Sequence, residues 1–188
     1  MDKDTVIKGL FLGPDRFKKR IYLNIPDGEE ILRAAYKSIL GSKFSWLPEY
    51  SAIARWMAGN EGKGLFLYGD FGRGKTLFLK EIFPALMESC WKVATYYTMT
   101  GINLDEALRK KIICLDDVGT ESRIMYYGNE RFAFQELMDN AEQNGNLVIA
   151  SSNMDHTALL EKYGQRTVER IVACCTRIRF EGKSLRYE

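Results

Sequence analysis

Residues 64–76 of the chain read GLFLYGDFGRGKT. An apolar run of strand length, residues 65–68, leads into the pattern G-x-x-x-x-G-K-[ST], and a helical pattern over residues 75–88 follows it. Glycines let the backbone turn tightly and approach an anion, and the N–H groups of the loop and of the helix start are fixed positive dipoles. A strand, a glycine-rich loop and a helix in this order predict a phosphate-binding loop.

The loop pattern predicts a nucleotide-binding site, and each residue type in the pattern has an expected role there. Lys75 is expected to reach the β- and γ-phosphates of ATP, and the Thr76 hydroxyl is expected to ligate Mg²⁺. The predicted nucleotide-binding residues are Gly69, Asp70, Phe71, Gly72, Arg73, Gly74, Lys75, Thr76 and Leu77. For the adenine base the sequence gives only a candidate segment, residues 44–56, because it precedes the first strand of the alternating pattern.

A second candidate site follows the apolar run at residues 112–115, which ends in Asp116 and Asp117. A strand that ends in carboxylates beside a phosphate-binding loop provides what a magnesium site needs, so Asp116 is expected to bind Mg²⁺ through water. Asp117 is placed to polarise the attacking water. Glu121 lies in the same loop, either assisting this chemistry or remaining a solvated acid.

Short apolar runs alternate with helical patterns from residue 64 onward. Continuous apolar runs are typical of strands that are buried on both faces, and alternation of strands with helices predicts a doubly wound α/β domain. The predicted strands are 65–68, 93–97, 112–115, 147–150 and 177–180. The predicted helices are 75–88, 104–110, 129–143, 157–162 and 166–174.

Residues 1–60 have a different pattern and are expected to form a short N-terminal helical extension to a core domain at residues 61–188. Helices are predicted over 29–40, with Asp27 as N-cap, and over 50–57. A basic cluster with interleaved aromatic residues precedes them: Arg16, Phe17, Lys18, Lys19, Arg20 and Tyr22. This cluster fits either a grip on a nucleic-acid backbone or a solvated face with buried aromatic rings.

Two further groups of polar residues are candidates for contact with the γ-phosphate. Ser152 and Asn153 follow the strand at 147–150, and ligands of open α/β sheets gather at the carboxyl ends of strands. Arg166 and Arg170 lie four residues apart, on one face of a predicted helix. They are expected either to stabilise transition-state charge on a phosphate, in this subunit or a neighbour, or to form surface ion pairs.

Composition excludes several classes of protein. The 188 residues are 46% hydrophobic and 28% charged, and the net charge of +2 excludes a strongly basic nucleic-acid binder. A single histidine and four cysteines with no C-x-x-C pair argue against a zinc site. No apolar run reaches the roughly 18 residues of a membrane span, and no signal-peptide pattern is present, so a cytoplasmic protein is expected.

Four blocks together resemble the AAA+ ATPases of the DnaC/DnaI helicase-loader and IstB transposition-helper group. The blocks are GDFGRGKT, LDDVGTE, IASSNM and YGQRTVERI, the last of them followed by Arg179-Phe180-Glu181-Gly182-Lys183-Ser184-Leu185-Arg186, and the similarity extends over about residues 46–186. The resemblance implies a five-stranded parallel sheet of order 5-1-4-3-2 with helices on both faces and no C-terminal lid domain. It also implies that Asn153 acts as sensor 1, and that Arg166 or Arg170 acts as a finger on the ATP of an adjacent subunit.

The same resemblance implies an ATP-hydrolysing accessory protein of DNA replication or transposition. Its expected partners are further copies of the chain joined through ATP sites, single-stranded DNA, and a replicative helicase or a transposase. Two alternatives remain open. One is a small-molecule phosphotransferase, which the 68 residues before the loop disfavour. The other is a nucleotide-gated assembly module with slow or no hydrolysis.

Overall fold

The computed structural model describes residues 10–14, 19–122, 124–126 and 129–185. Arg16, Phe17, Lys18 and Arg186 lie outside the described residues. The strands are β1 (Leu10–Pro14), β2 (Lys19–Leu23), β3 (Gly64–Gly69), β4 (Thr95–Thr98), β5 (Ile112–Val118), β6 (Ile124–Tyr126), β7 (Asn129–Arg131), β8 (Leu147–Ser152) and β9 (Cys175–Phe180). The α-helices are α1 (Gly28–Leu40), α2 (Pro48–Ala58), α3 (Lys75–Leu77), α4 (Phe83–Ser89), α5 (Leu104–Ala107), α6 (Ala133–Asn144) and α7 (His156–Cys174).

The central element is a parallel sheet of five strands in the order β4-β5-β8-β3-β9. Numbered along the chain from the phosphate-loop strand, this is the predicted order 5-1-4-3-2 read from the opposite edge. β3 is central, because Leu65 pairs with Ile149 of β8 on one side and with Thr176 of β9 on the other. The predicted α/β class and strand order are therefore confirmed.

Alternating side chains of the sheet supply two separate cores. Leu65 packs with Ile53 and Phe78 on the face covered by α1, α2 and the helix after the phosphate loop. Phe66 packs with Phe134 and Val168 on the face covered by α6 and α7. Since successive strand residues point to opposite faces, continuous apolar strands fill both layers, and the predicted helices on both faces are present.

The helix after the phosphate loop has an irregular middle. α3 continues through a π-helical turn, Phe78–Ile82, directly into α4. Pro84 has no N–H to donate and its ring would clash with the carbonyl of Lys80 in a regular α-helix, which accounts for the wider turn. The predicted extent of this helix is confirmed, but a regular α-helix throughout is wrong.

Two other predicted helices differ from the structure. The helix predicted from residue 129 begins at Ala133, because residues 129–131 form β7 and pair with β6 as an antiparallel hairpin. The helices predicted at 157–162 and 166–174 are both present within α7, on either side of Gly164, whose φ of 76° interrupts it. α5 ends at Ala107, three residues before the predicted end.

The first sixty residues contain the two predicted helices, α1 and α2, and a hairpin of β1 and β2 that the sequence pattern does not predict. Ile53 of α2 and Leu32 of α1 belong to the same apolar cluster as Leu65 of the sheet. The division at residue 60 remains a prediction. Among the described residues, no helix combines the length and apolarity that crossing a membrane requires.

Candidate functional site

A cleft of about 610 Å³ opens at the carboxyl ends of β3, β5 and β8. It is lined by Leu40, Lys43, Tyr50, Phe71, Gly72, Gly74, Lys75, Thr76, Leu77, Lys80, Glu81, Asp117, Asn153 and Leu185. Parallel strands bring their carboxyl ends to one edge of the sheet, so segments far apart in sequence meet here. Eight of these residues, Phe71, Gly72, Gly74, Lys75, Thr76, Leu77, Asp117 and Asn153, were predicted from the sequence as site residues.

The phosphate loop curls around the ammonium group of Lys75. Nζ of this residue donates hydrogen bonds to the carbonyl oxygens of Gly69 at 2.8 Å and Asp70 at 2.6 Å. Gly69 has a φ of 104°, and a Cβ there would lie 2.4 Å from the carbonyl oxygen of Phe180, so only glycine fits. The loop therefore holds a buried cation at the start of a helix, where an anion binds.

Asp116 is 1% exposed and lies against Thr76. Its Oδ1 accepts hydrogen bonds from Thr76 Oγ1 at 3.3 Å and from Ser151 Oγ, and its Oδ2 accepts one from the Tyr96 hydroxyl at 3.0 Å. Burial, and after it the negative charge of Asp116, raises the pKa of Tyr96, so this hydroxyl remains a donor at neutral pH. All three donors are neutral and leave the carboxylate charge uncompensated by these contacts.

The chemistry of this donor set fits a magnesium ion. A carboxylate oxygen and a hydroxyl oxygen are hard ligands, and Mg²⁺ in phosphate-loop proteins takes its remaining ligands from substrate phosphates and water. Among the described residues no group of three or more His, Cys, Asp or Glu side chains could hold a metal ion. Thr76 and Asp116 are therefore the residues that would hold Mg²⁺, and only together with a nucleotide.

Asp117 and Asn153 both line the cleft and contact each other. Asn153 Nδ2 donates to Asp117 Oδ1 at 3.3 Å, and the Asp117 N–H donates to Ser151 Oγ at 3.2 Å. The φ of Asp117 is 57°, in the left-handed region that few non-glycine residues adopt. The pairing of β5 with β8 is irregular at this point, between Leu115 and Val118. Ser152 is fully buried and donates to the Val118 carbonyl at 2.6 Å, so Asn153 is the one that lines the cleft.

The two arginines of α7 lie outside the lining of the cleft. The guanidinium of Arg170 is 14% exposed, and its Nε lies 2.9 Å from carboxylate oxygens of both Asp139 and Glu142. The side chain of Arg166 is 78% exposed, 3.8 Å from Asp139. Arg170 thus forms the ion pairs that were one expectation for these residues, and Arg166 is the more exposed of the two.

Arg73 was predicted to contact the nucleotide, but its side chain does not line the cleft. Its Nη2 lies 2.8 Å from Oε1 of Glu49 in α2, with both side chains 9% exposed. Its Nη1 donates to the Lys183 carbonyl at 3.1 Å. The sequence pattern gives no signal for Glu49, because its partner is 24 residues away and on another element.

Residues 181–185, which we call the C-terminal strap, lie across the phosphate loop. The Gly182 N–H donates to Asp70 Oδ2 at 2.8 Å, and the Leu185 N–H donates to the Gly72 carbonyl at 2.9 Å. A further bond joins the Asp70 N–H to the Phe180 carbonyl at 2.8 Å, at the end of β9. The loop is therefore held from both sides, by α2 and by the strap.

The lining of the cleft includes three leucines, Leu40, Leu77 and Leu185. From the predicted adenine segment, residues 44–56, only Tyr50 lines the cleft. Its hydroxyl donates to the Arg73 carbonyl at 3.1 Å, and burial raises its pKa to about 12. The ring of Tyr36 stacks on Tyr50 with centroids 4.1 Å apart, so this pair supports the loop from beneath.

Glu121 is anchored within its own loop. One carboxylate oxygen accepts from the Gly119 N–H at 2.9 Å, and the other accepts from the Tyr163 hydroxyl. Burial and then this hydrogen bond raise the pKa of Tyr163. Glu121 thus holds the loop after β5 against α7. The sequence suggests a role in the chemistry or a solvated acid for this residue, and a structural role is not expected from it.

Comparison with known proteins gives similarity in structure only. No protein-family model matches the chain, and no curated protein matches it in sequence. The crystal structure of the DnaC helicase loader is similar with a TM-score of 0.56 and 15% identity, over 79% of this chain and 99% of that one. A proposed primosome component from Streptococcus pyogenes serotype M3 is similar with a TM-score of 0.52 and 20% identity, over 81% and 79%.

AMPPCP-bound DnaA from Aquifex aeolicus is a third similar structure, with a TM-score of 0.54 and 17% identity, over 77% of this chain and 50% of that one. The chain therefore spans half of the DnaA chain it matches. These likenesses show that the chain shares the fold of the DnaC helicase loader, as the sequence blocks predict.

Proposed function

We propose that this chain binds Mg²⁺ and ATP in the cleft and hydrolyses the ATP to ADP and phosphate. The observation that carries the proposal is the contact between Thr76 and the buried Asp116, next to the Lys75 ammonium group at the start of a helix. The negative charge of this carboxylate, which has only neutral donors, is complementary to a metal cation. The positive charge of the Lys75 ammonium group in the neighbouring loop is complementary to the triphosphate.

Each part of the cleft has a role in the proposed reaction. The loop N–H groups and Lys75 bind the β- and γ-phosphates, and the apolar side chains of Leu40, Leu77 and Leu185 in the lining are available to the base. Thr76 and Asp116 would hold Mg²⁺, which would neutralise charge on the phosphates. Asp117 accepts the proton of the water whose oxygen attacks the γ-phosphorus, while the bond from that phosphorus to the ADP oxygen breaks.

We further propose that the ATPase serves DNA replication as a helicase-loader-like protein in the cytoplasm. Support comes from the shared fold with the DnaC helicase loader and from the four sequence blocks. In this proposal the chain self-associates through its ATP sites, contacts single-stranded DNA, and acts on a replicative helicase. A transposase in place of the helicase is the variant of the proposal that the resemblance to IstB adds.

The second candidate is a nucleotide-gated assembly module, in which bound ATP assembles a complex and hydrolysis is slow or absent. The observation that favours it is the hydrogen bond from Asn153 to Asp117 at 3.3 Å. The carboxylate proposed as the base is thus already engaged by a neutral donor within the cleft.

ATP turnover of the purified chain, with and without single-stranded DNA, tests these proposals. Lys75→Ala removes the cation of the loop and is expected to abolish both ATP binding and turnover. Lys37→Ala is the matched control, since Lys37 is an exposed lysine of α1 outside the cleft. Turnover stimulated by DNA in the wild type and lost only in Lys75→Ala supports the loader.

Other outcomes of the same assay separate the candidates. Tight ATP binding without turnover under either condition supports the assembly module. Equal ATP binding by Lys75→Ala and the wild type contradicts the proposed site. Transfer of phosphate to a nucleoside or metabolite in place of water reveals the phosphotransferase.

A further inference from the structure

Tyr96 approaches the candidate magnesium site from the edge of the sheet. It lies on β4 and pairs in register with Cys114 of β5. Asp116 is two residues beyond Cys114 and therefore on the same face, which makes it a diagonal neighbour of Tyr96 within reach of an aromatic side chain. The Tyr96 hydroxyl donates to Asp116 Oδ2 at 3.0 Å.

The two oxygens of Asp116 have different partners. Oδ1 faces Thr76 and Ser151, and Oδ2 faces Tyr96. A carboxylate with a free second oxygen rotates about its terminal bond, because that torsion is broad. Donors on both oxygens, from three different elements, fix its plane.

We infer that Tyr96 is a positioning residue for the metal ion: it holds Oδ2 of Asp116 so that Oδ1 is presented beside the Thr76 hydroxyl. This inference rests on the proposed function of the cleft. Hydrogen-bond partners of metal ligands orient them, and removing such a partner typically lowers metal affinity about 10- to 100-fold. Neither Tyr96 nor Asp116 is among the described residues that line the cleft, so the Tyr96 hydroxyl acts through the carboxylate.

Tyr97 is a matched control one residue along the same strand. Its side chain points to the opposite face, and its hydroxyl donates to Oε1 of Glu106 at 2.8 Å. Glu106 is an exposed carboxylate that also pairs with Lys110 at 3.1 Å. Tyr97→Phe therefore removes the same hydroxyl and the same type of hydrogen bond, away from Thr76 and Asp116.

The experiment measures binding of the fluorescent nucleotide mant-ATP as a function of MgCl₂ concentration, with an EDTA series for metal-free affinity. For Tyr96→Phe we expect the Mg²⁺ concentration that gives half of the maximal increase in mant-ATP binding to rise about tenfold. The affinity for mant-ATP without metal is expected to change less than about twofold. Tyr97→Phe is expected to match the wild type in both series. A general structural defect would weaken both series equally.

Several results would overturn the inference. One is a Tyr96→Phe protein with an unchanged Mg²⁺ midpoint; another is equal loss of metal-free and metal-dependent binding. Tyr96→Leu also lacks the hydroxyl, so it can replace Tyr96→Phe in the same titrations if the phenylalanine variant does not fold. If the wild type binds no mant-ATP with or without Mg²⁺, the proposed function fails, whereas binding with an unaffected Tyr96 variant overturns only the positioning role.

Discussion

Arg73 and Glu49 form a buried ion pair beneath the phosphate loop. Oε1 of Glu49 accepts from Nε and Nη2 of Arg73 and also from the Glu181 N–H at 3.2 Å. Oε2 of Glu49 has no hydrogen-bond partner among the described residues. The pair thus holds α2, the loop and the C-terminal strap together, and removal of one partner alone would leave the charge of the other uncompensated in the interior.

We expect Glu49→Gln to lower the free energy of unfolding by about 3 kcal/mol, because it leaves the Arg73 guanidinium buried without its carboxylate. Urea denaturation followed by circular dichroism measures this. Glu29→Gln is the control, since Glu29 pairs with Arg33 at 2.7 Å but both side chains are about half exposed. An exposed pair contributes less than about 1 kcal/mol, so equal effects of the two variants would contradict the buried-pair account.

At the level of elements, the contact between the C-terminal strap and the phosphate loop depends on Gly182. Gly182 has a φ of 124°, and an added Cβ would lie 2.9 Å from Nη1 of Arg73. A side chain there is strained by the backbone and displaces Arg73 from its contact with the Lys183 carbonyl. The position of the strap and the shape of the loop are therefore coupled.

Gly182→Ala is expected to lower stability by about 1–3 kcal/mol and to weaken ATP binding, because it combines backbone strain with movement of the loop. Thermal unfolding and mant-ATP titration measure the two effects. Gly59→Ala is the matched control: its φ of −174° is extended, and an added Cβ meets nothing within 4 Å. A Gly182→Ala protein as stable as Gly59→Ala, with wild-type affinity, would show that the strap does not shape the loop.

Sequence pattern predicts the elements whose signal is local and misses those that depend on distant partners. The alternation of apolar runs is enough for the five strands and for their burial on both faces, as Leu65 and Phe66 show by packing on opposite faces. The order of the strands comes from the resemblance to a known family and not from the pattern. The strap contacts and the Glu49 pair are missed, because they join residues 24 to 132 positions apart. Tyr96 is missed for the same reason, since a tyrosine in a strand gives no sign of its diagonal partner.

At the level of the whole molecule, the two arginines of α7 lie outside the lining of the cleft. Among the described residues that line it there is no arginine. Arg170 is held by Asp139 and Glu142, whereas Arg166 is exposed on the same helix. We therefore predict that an arginine of α7 that stabilises charge on ATP comes from a second copy of the chain, and that Arg166, the more exposed of the two, is this arginine. A head-to-tail interface of this kind repeats from copy to copy.

Mixing two inactive variants tests this assembly. Lys75→Ala lacks the phosphate-loop cation, and Arg166→Ala lacks the guanidinium, so each alone is expected to have little turnover. In an equal mixture, about one site in four combines an intact loop from one subunit with an intact arginine from its neighbour, and turnover should recover to about that fraction of wild type. A mixture of Lys75→Ala with Arg170→Ala is the comparison. If turnover recovers only in that mixture, Arg170 is the arginine that acts on the ATP of the adjacent subunit. If neither mixture exceeds the sum of its separate variants, the ATP site is not shared between subunits.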